Sequence, residues 1–306
     1  MEEQYLALLK DVNENGEDRN DRTGVGTRSL FGRQIRGDIS KYFPLMTSKF
    51  TAFRPILGEA LWFIEGSSDE RRLAEITYGT RDESRTTIWT PNANAPYWKP
   101  KARYNGHLGD VYGVQWRHWK HTTFISASDS LSHEGGGMTY FGAKVLIEEH
   151  DQIKKIIETI KTNPTDRRMV LTAFNVGELD NMALPPCHMF ANFNVSSKGK
   201  LNCLVYMRSV DTALGLPFNI ASYSLITHMI AQVTNLEVGE LIMSLGDTHI
   251  YKNHLDGVNE MLTRTPFEPP VLKINPEVTD IDDFKMSDFE IVGYKYHPKI
   301  KFDMAV

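Results

Sequence analysis

The order of segments between residues 169 and 245 constrains the fold more than any other feature of this chain. Strand-like runs at 169–175, 188–195 and 201–208 follow one another closely. A long apolar helix, Phe218 to Thr234, comes next, and a further strand at 241–245 closes the series. A helix that is apolar on most of its surface has to be covered on most sides. The strands therefore have to form a sheet against which it packs. Ala52 to Glu65 makes the same demand, because Ile56, Leu57, Ala60, Leu61, Phe63 and Ile64 cover more than one helix face.

The remaining segments fit around that core. Residues 2–12 read as an amphipathic helix with Tyr5, Leu6, Leu8, Leu9 and Val12 apolar, and residues 27–38 read as a strand. The isoleucine spacing from Ile147 to Ile160 predicts a helix over 147–161, stopped before Asn163-Pro164. Residues 90–107 are irregular. The Ser-, Thr- and Gly-rich stretch 120–142, around Gly135-Gly136-Gly137, reads as a surface excursion or mobile loop inserted in the domain. There is no repeat and no linker. The expectation is one α+β domain over 1–306, a mixed β-sheet packed with helices.

Charge and cysteine usage narrow the class. A formal net charge of −5 argues against general nucleic-acid binding, though not against a local basic pocket. Two cysteines, Cys187 and Cys203, cannot form a disulfide framework and fit a reducing compartment. The N-terminus lacks the basic and apolar regions of a signal peptide, and no apolar run approaches the ~18 residues of a membrane span. A soluble, cytoplasmic protein is expected.

The chemistry-bearing residues stand out against this background. Cys187 lies in a Pro-rich corner, Leu184-Pro185-Pro186-Cys187-His188, between Asp166-Arg167-Arg168 and Arg208-Ser209-Val210-Asp211. A thiol among cations is a nucleophile beside an anion site, because nearby positive charge favours the thiolate and guanidinium forks suit phosphate. Taken alone, Cys187-His188 fits an inert buried cysteine better than a nucleophile, and Arg167-Arg168 fits a solvated surface pair better than an anion site. Glu59 is a carboxylate inside an apolar helix, costly unless paired or functional. Its bland reading is a solvent-facing position. Asn219 opens a helix and is either an N-cap or a donor–acceptor amide that reads a planar ring. His249 and Tyr251 share one face of a strand. His118, His121 and His133 lack the spacing of a zinc site, and Gly135-Gly136-Gly137 lacks the Lys-Ser/Thr of a phosphate loop. No metal is expected.

Three blocks then resemble one family, the thymidylate synthases: Met182 to His188, Leu214 to Tyr223 (LGLPFNIASY), and Gly246-Asp247-Thr248-His249-Ile250-Tyr251. The resemblance runs from Asp21-Arg22-Thr23-Gly24 to Ala305-Val306. It implies a homodimer through the sheet, the substrate dUMP and the co-substrate 5,10-methylenetetrahydrofolate. By this resemblance Cys187 attacks uracil C6, with His188 beside it. Arg22, Arg208 and Ser209 hold the phosphate, and Arg167 and Arg168 reach the partner's phosphate site. Asn219 holds uracil N3 and O4, His249 and Tyr251 hold the ribose, Glu59 relays protons, and Tyr112 lies near the C5 proton. Lys49, Ile88, Trp89, Asn92, Asp211, Leu214, Gly215, Phe218 and the Ala305-Val306 end match the folate pocket.

Several positions depart from the usual pattern of that family. Phe50 stands where a basic residue is usual, Thr90 for Asp, Asp110 for Pro, Phe174 for Trp, Asn192 and Met207 for Gln, and Tyr296 for Pro. The resemblance thus leaves two outcomes for the activated C5: hydride delivery, giving dTMP, or water addition, giving 5-hydroxymethyl-dUMP. The first is the expectation. A non-catalytic nucleotide- or RNA-binding relative would not need the thiol, and a cysteine hydrolase would not need the phosphate arginines.

Overall fold

The computed structural model describes residues 1–126, 129–132, 138–141 and 144–304. The chain opens with helix α1 (Glu2–Asn15), whose Tyr5, Leu8, Leu9 and Val12 are buried, and strands β1 (Glu17–Arg19) and β2 (Thr27–Asp38) follow. Helix α2 (Phe53–Glu65) ends at Gly66 in the left-handed conformation, a common helix stop. Asp69 caps α3 (Glu70–Tyr78) by accepting the Arg71 N–H. Short helices α4 (Thr90–Ala93) and α5 (Gly113–Arg117) flank the loop that carries Asp110.

Strand β3 (Trp119–Ser126) pairs with β6 (Lys144–His150), and β4 (Asp129–Ser132) pairs with β5 (Met138–Phe141). The described part of 120–142 is therefore strand-paired rather than a loop. Its remainder, including Gly135-Gly136-Gly137, lies outside the described residues. Ile147 also belongs to a strand, opposite Thr122, and not to the expected helix. Helix α6 (Gln152–Thr162) begins only after Asp151, whose side chain accepts the Lys154 N–H.

The central sheet uses β7 (Val170–Thr172), β8 (His188–Val195), β9 (Lys200–Asp211) and β10 (Glu237–Tyr251) in the order β1-β2-β10-β9-β8-β7. Only β9 and β10 run parallel. Parallel neighbours need a crossover, and the apolar helix α7 (Gly215–Val233) supplies it. Ile220, Leu225, Ile226, Met229 and Ile230 of α7 are buried, and the helix packs between the sheet and α2. Helix α8 (Leu255–Leu262) and the hairpin β11 (Val271–Ile274) and β12 (Phe289–Val292) complete the fold. Along β9, Leu201, Cys203, Val205 and Met207 face the core, while Asn202, Leu204, Tyr206 and Arg208 lie half-buried on the opposite face. The expected α+β class with a mixed sheet is what is found.

Candidate active site

Strand β8 begins directly after Cys187, and the strand pairing fixes where the thiol sits. The Cys187 carbonyl accepts the Arg208 N–H from β9 at 2.9 Å. The Arg208 guanidinium then turns back: Nε donates to the Pro186 carbonyl at 2.9 Å and Nη2 to the Pro185 carbonyl at 2.9 Å. That bracing leaves Nη2 3.7 Å from Cys187 Sγ. Burial pushes the thiol pKa up and Arg208 pulls it down, with burial the larger effect. The arginine therefore offsets only part of the cost of ionising this thiol.

Tyr112 sits above the same corner. Its hydroxyl accepts the Cys187 N–H at 2.7 Å. Its backbone is held at φ +23°, a strained conformation for a non-glycine residue. The turn leading to it needs Gly109, at φ +76°, where a Cβ would lie 1.9 Å from the Asn181 carbonyl. The Tyr112 ring stacks on His188 with centroids 4.0 Å apart, and His188 Nδ1 bonds the Tyr223 hydroxyl at 2.7 Å. Burial pulls the His188 pKa down to about 3. His188 is thus a neutral ring between two tyrosines, and its hydrogen bond goes to Tyr223 rather than to the thiol.

Glu59 projects from α2 toward the same space. Trp89 Nε1 donates to Glu59 Oε1 at 2.7 Å. Burial without a countercharge pushes the Glu59 pKa up to about 7. The loop that supplies Trp89 is held by the buried Glu70–Arg71 pair. Thr87 Oγ1 and Thr90 Oγ1 donate to Glu70 Oε1 at 2.7 and 2.6 Å. A carboxylate in place of Thr90 would face Glu70, which accounts for threonine there.

Asn219 does not cap α7. Leu214 occupies the N-cap position, and Asp211 Oδ1 accepts the Ala213 and Leu214 N–H groups at 3.1 and 3.0 Å. The Asn219 amide makes no hydrogen bond among the described residues and lines two adjoining cavities. One, of about 230 Å³, brings together Glu59, Trp89, Tyr112, Cys187, Asp211 and Asn219. Ile88, Asn92, His188, Ser209 and Gly215 also line it. The other, of about 180 Å³, is a mostly apolar slot between Ile88, Leu214, Gly215 and Phe218 that reaches Leu73 and Pro55. A larger cavity, about 700 Å³, lies behind α2 and holds none of the expected site residues.

Other expected residues stand outside this cleft. Lys49 is buried behind the 211–215 turn, where Nζ donates to the Ala213 carbonyl at 2.7 Å, and burial draws its pKa down to about 8. Arg22 is exposed on a turn organised by Asp21, which accepts the Thr23 and Gly26 N–H groups at 2.9 and 2.7 Å. His249 and Tyr251 pack edge to face on β10 with ring centroids 5.1 Å apart, and His249 Nδ1 bonds Asp247 at 3.1 Å. Burial, with Asp211 and Asp21 nearby, pushes the Tyr251 hydroxyl pKa up, and Arg22 partly offsets this. Arg167 and Arg168 are exposed away from the cleft, with Arg168 paired to Asp166 at 2.8 Å. Ala305 and Val306 lie outside the described residues. Met304 lines the cleft and Tyr223 anchors His188; neither carries a sequence signal of its own beyond the blocks that contain them. Among the described residues no three histidine, cysteine or acidic side chains group as metal ligands.

The departures at Phe50 and Tyr296 meet in space. Their rings lie 4.8 Å apart, and Tyr294 packs 4.8 Å from Tyr296. Asp110 pairs with Lys120 of β3 at 3.3 Å.

A family model described as thymidylate synthase matches residues 3–306. A thymidylate synthase from Herpesvirus ateles is 47% identical over 308 residues, covering all of this chain and 98% of the relative. A thymidylate synthase from Saccharomyces cerevisiae is 44% identical over 318 residues, covering all of this chain and 97% of the relative. A bifunctional dihydrofolate reductase-thymidylate synthase from Zea mays is 44% identical over 308 residues, covering all of this chain and 54% of that longer protein.

Proposed function

Since the chain belongs to the thymidylate synthase family, we infer that it is a one-carbon methyltransferase that converts dUMP to dTMP. The co-substrate is 5,10-methylenetetrahydrofolate, which supplies both the methylene carbon and the hydride that reduces it, and leaves as dihydrofolate. Hydroxymethylation of dUMP is not favoured, because the full-length relatives are named as synthases. Among the described residues no helix is long and apolar enough to cross a membrane.

The observation that carries the site assignment is the convergence of Cys187, Tyr112, Glu59 and Asn219 on one cleft, with Arg208 Nη2 3.7 Å from the thiol. In this reading Cys187 adds to uracil C6, with Arg208 offsetting part of the cost of the thiolate. Asn219, with its amide unpaired, offers a donor and an acceptor to the N3–O4 edge of the ring. Glu59, with a pKa near 7, gives and takes protons near O4 at neutral pH. Tyr112, fixed on the Cys187 N–H, faces the C5 side. The apolar slot between Ile88 and Phe218 fits a flat ring beside the uracil, and Trp89, Asn92, Asp211, Leu214 and Gly215 frame its mouth. Arg22, Arg208, Ser209, His249 and Tyr251 form the phosphate and ribose end.

A homodimer through the open face of the sheet completes the reading. Two observations support it: Phe190, Leu204, Tyr206 and Ile242 lie half-buried on that face, and Arg167 and Arg168 are exposed and do not line their own cleft. Sedimentation at twice the chain mass is expected.

The test is product identification. Incubation with dUMP and methylenetetrahydrofolate should raise dihydrofolate absorbance and yield dTMP by mass spectrometry. 5-Hydroxymethyl-dUMP without dihydrofolate would overturn the assignment.

A further inference from the structure

Glu2 lies in the first turn of α1 and is buried. An acidic residue there normally stays in water and favours the helix through its dipole. Here the carboxylate is withdrawn from solvent, a cost that only charge-assisted hydrogen bonds repay. All of those bonds go to one dipeptide. Oε1 accepts the Thr47 N–H at 2.8 Å and the Ser48 N–H at 2.7 Å, and Oε2 accepts the Thr47 hydroxyl at 2.8 Å.

The same dipeptide is gripped from its other side. The Thr47 carbonyl accepts the His297 N–H at 2.8 Å, and Thr47 Oγ1 accepts the Phe267 N–H at 2.9 Å. The Ser48 carbonyl accepts Arg264 Nη1 at 2.8 Å, and that nitrogen also reaches the Pro298 carbonyl at 2.8 Å. The next residue is Lys49. Its Nζ donates to the Ala213 carbonyl and sits 4.7 Å from the centre of the Phe302 ring. The Ala213 and Leu214 N–H groups are in turn held by Asp211, so this lysine pins the turn that delivers Asp211 and Gly215 to the cleft.

We propose that Glu2 is a positioning residue for the folate half of the active site, acting by fixing the Thr47–Ser48 peptide so that Lys49 spans to the Ala213 carbonyl. Glu2 touches no reactant. The inference rests on the assignment of Lys49 and the 211–215 turn to the folate side.

The experiment measures KM for methylenetetrahydrofolate and for dUMP, with melting temperature, in E2A, E2Q and K49Q. E2A should raise the folate KM about five-fold or more and leave the dUMP KM within about two-fold. E2Q should stay near the native values, because its amide oxygen still accepts both N–H groups and the Thr47 hydroxyl can turn to the Phe267 carbonyl, 3.4 Å away. If E2A does not fold, E2D, whose carboxylate is one methylene shorter, supplies the same comparison. A fall in melting temperature with neither KM moved, or an equal rise in both, overturns the inference. If K49Q raises the folate KM and the Glu2 variants do not, the inference alone fails. If K49Q leaves the folate KM unchanged, the assignment of Lys49 fails and the inference goes with it.

Discussion

The indole of Trp89 donates to Glu59 Oε1 at 2.7 Å, the one side-chain hydrogen bond to that carboxylate among the described residues. Burial raises the Glu59 pKa and this bond restrains the rise. A carboxyl group held near neutrality suits proton transfer in both directions. Removing the bond in W89F should move the acidic limb of the kcat/KM profile to higher pH, and E59Q should abolish that limb. An unmoved limb in W89F would place the titration elsewhere.

The same shift has a stability consequence. The Glu59 pKa rises from 4.5 to about 7 on folding, so the folded state holds a proton that the unfolded chain releases between those values. The stability linked to that proton is fully present below pH 4.5 and is lost as pH rises through 7, a difference of about 3 kcal/mol. E59Q should therefore melt above the native protein at pH 8, and the gap should close toward pH 4. Thermal melts across pH check the sign.

Arg208 Nη2 lies 3.7 Å from Cys187 Sγ and is braced by two proline carbonyls. R208A should raise the inflection in the pH dependence of Cys187 alkylation by iodoacetamide, because the cation that lowers the thiol pKa is gone. R208K, which keeps charge but not the fork, should fall between. C187A should lose turnover while dUMP binding stays measurable by calorimetry.

The Asn219 amide, without a hydrogen bond among the described residues, predicts base selectivity. N219D replaces a donor–acceptor edge with an acceptor suited to the cytosine amino group. The ratio of kcat/KM for dUMP over dCMP should drop by about ten-fold or more. A ratio unchanged from the native enzyme would contradict the role given to Asn219.

Y112F removes the acceptor of the Cys187 N–H. A buried donor left unpaired costs about 1–3 kcal/mol, so denaturant titration should show a loss of that order. On the proposed role of Tyr112 beside C5, kcat should fall as well.

The extent of some strands was legible in the residues. β2 and β8 span the expected 27–38 and 188–195, although neither alternates strictly: Phe31 of β2 is exposed despite its apolar side chain, and the β8–β9 register shifts between His188 and Phe190. β10 runs far beyond 241–245, since Gly239 and Gly246 interrupt its apolar pattern while their small size allows close backbone approach to Leu201 and Arg208. The isoleucine series from 147 to 160 crosses a strand–helix boundary that only Asp151 marks. At the site, Cys187, Glu59 and Asn219 were visible as anomalies of residue type in their segments. The neutral state of His188 was not, because it depends on burial between Tyr112 and Tyr223. Nor was the Glu2 contact, whose partners are main-chain groups distant in sequence.

Covalent attachment at Cys187 is the claim on which the rest depends. The most direct measurement is the intact mass of the protein after incubation with 5-fluoro-dUMP and methylenetetrahydrofolate, followed by peptide mapping. The account predicts one ternary adduct on the peptide carrying Cys187, absent in C187A. No adduct, or one mapped to another residue, would contradict it.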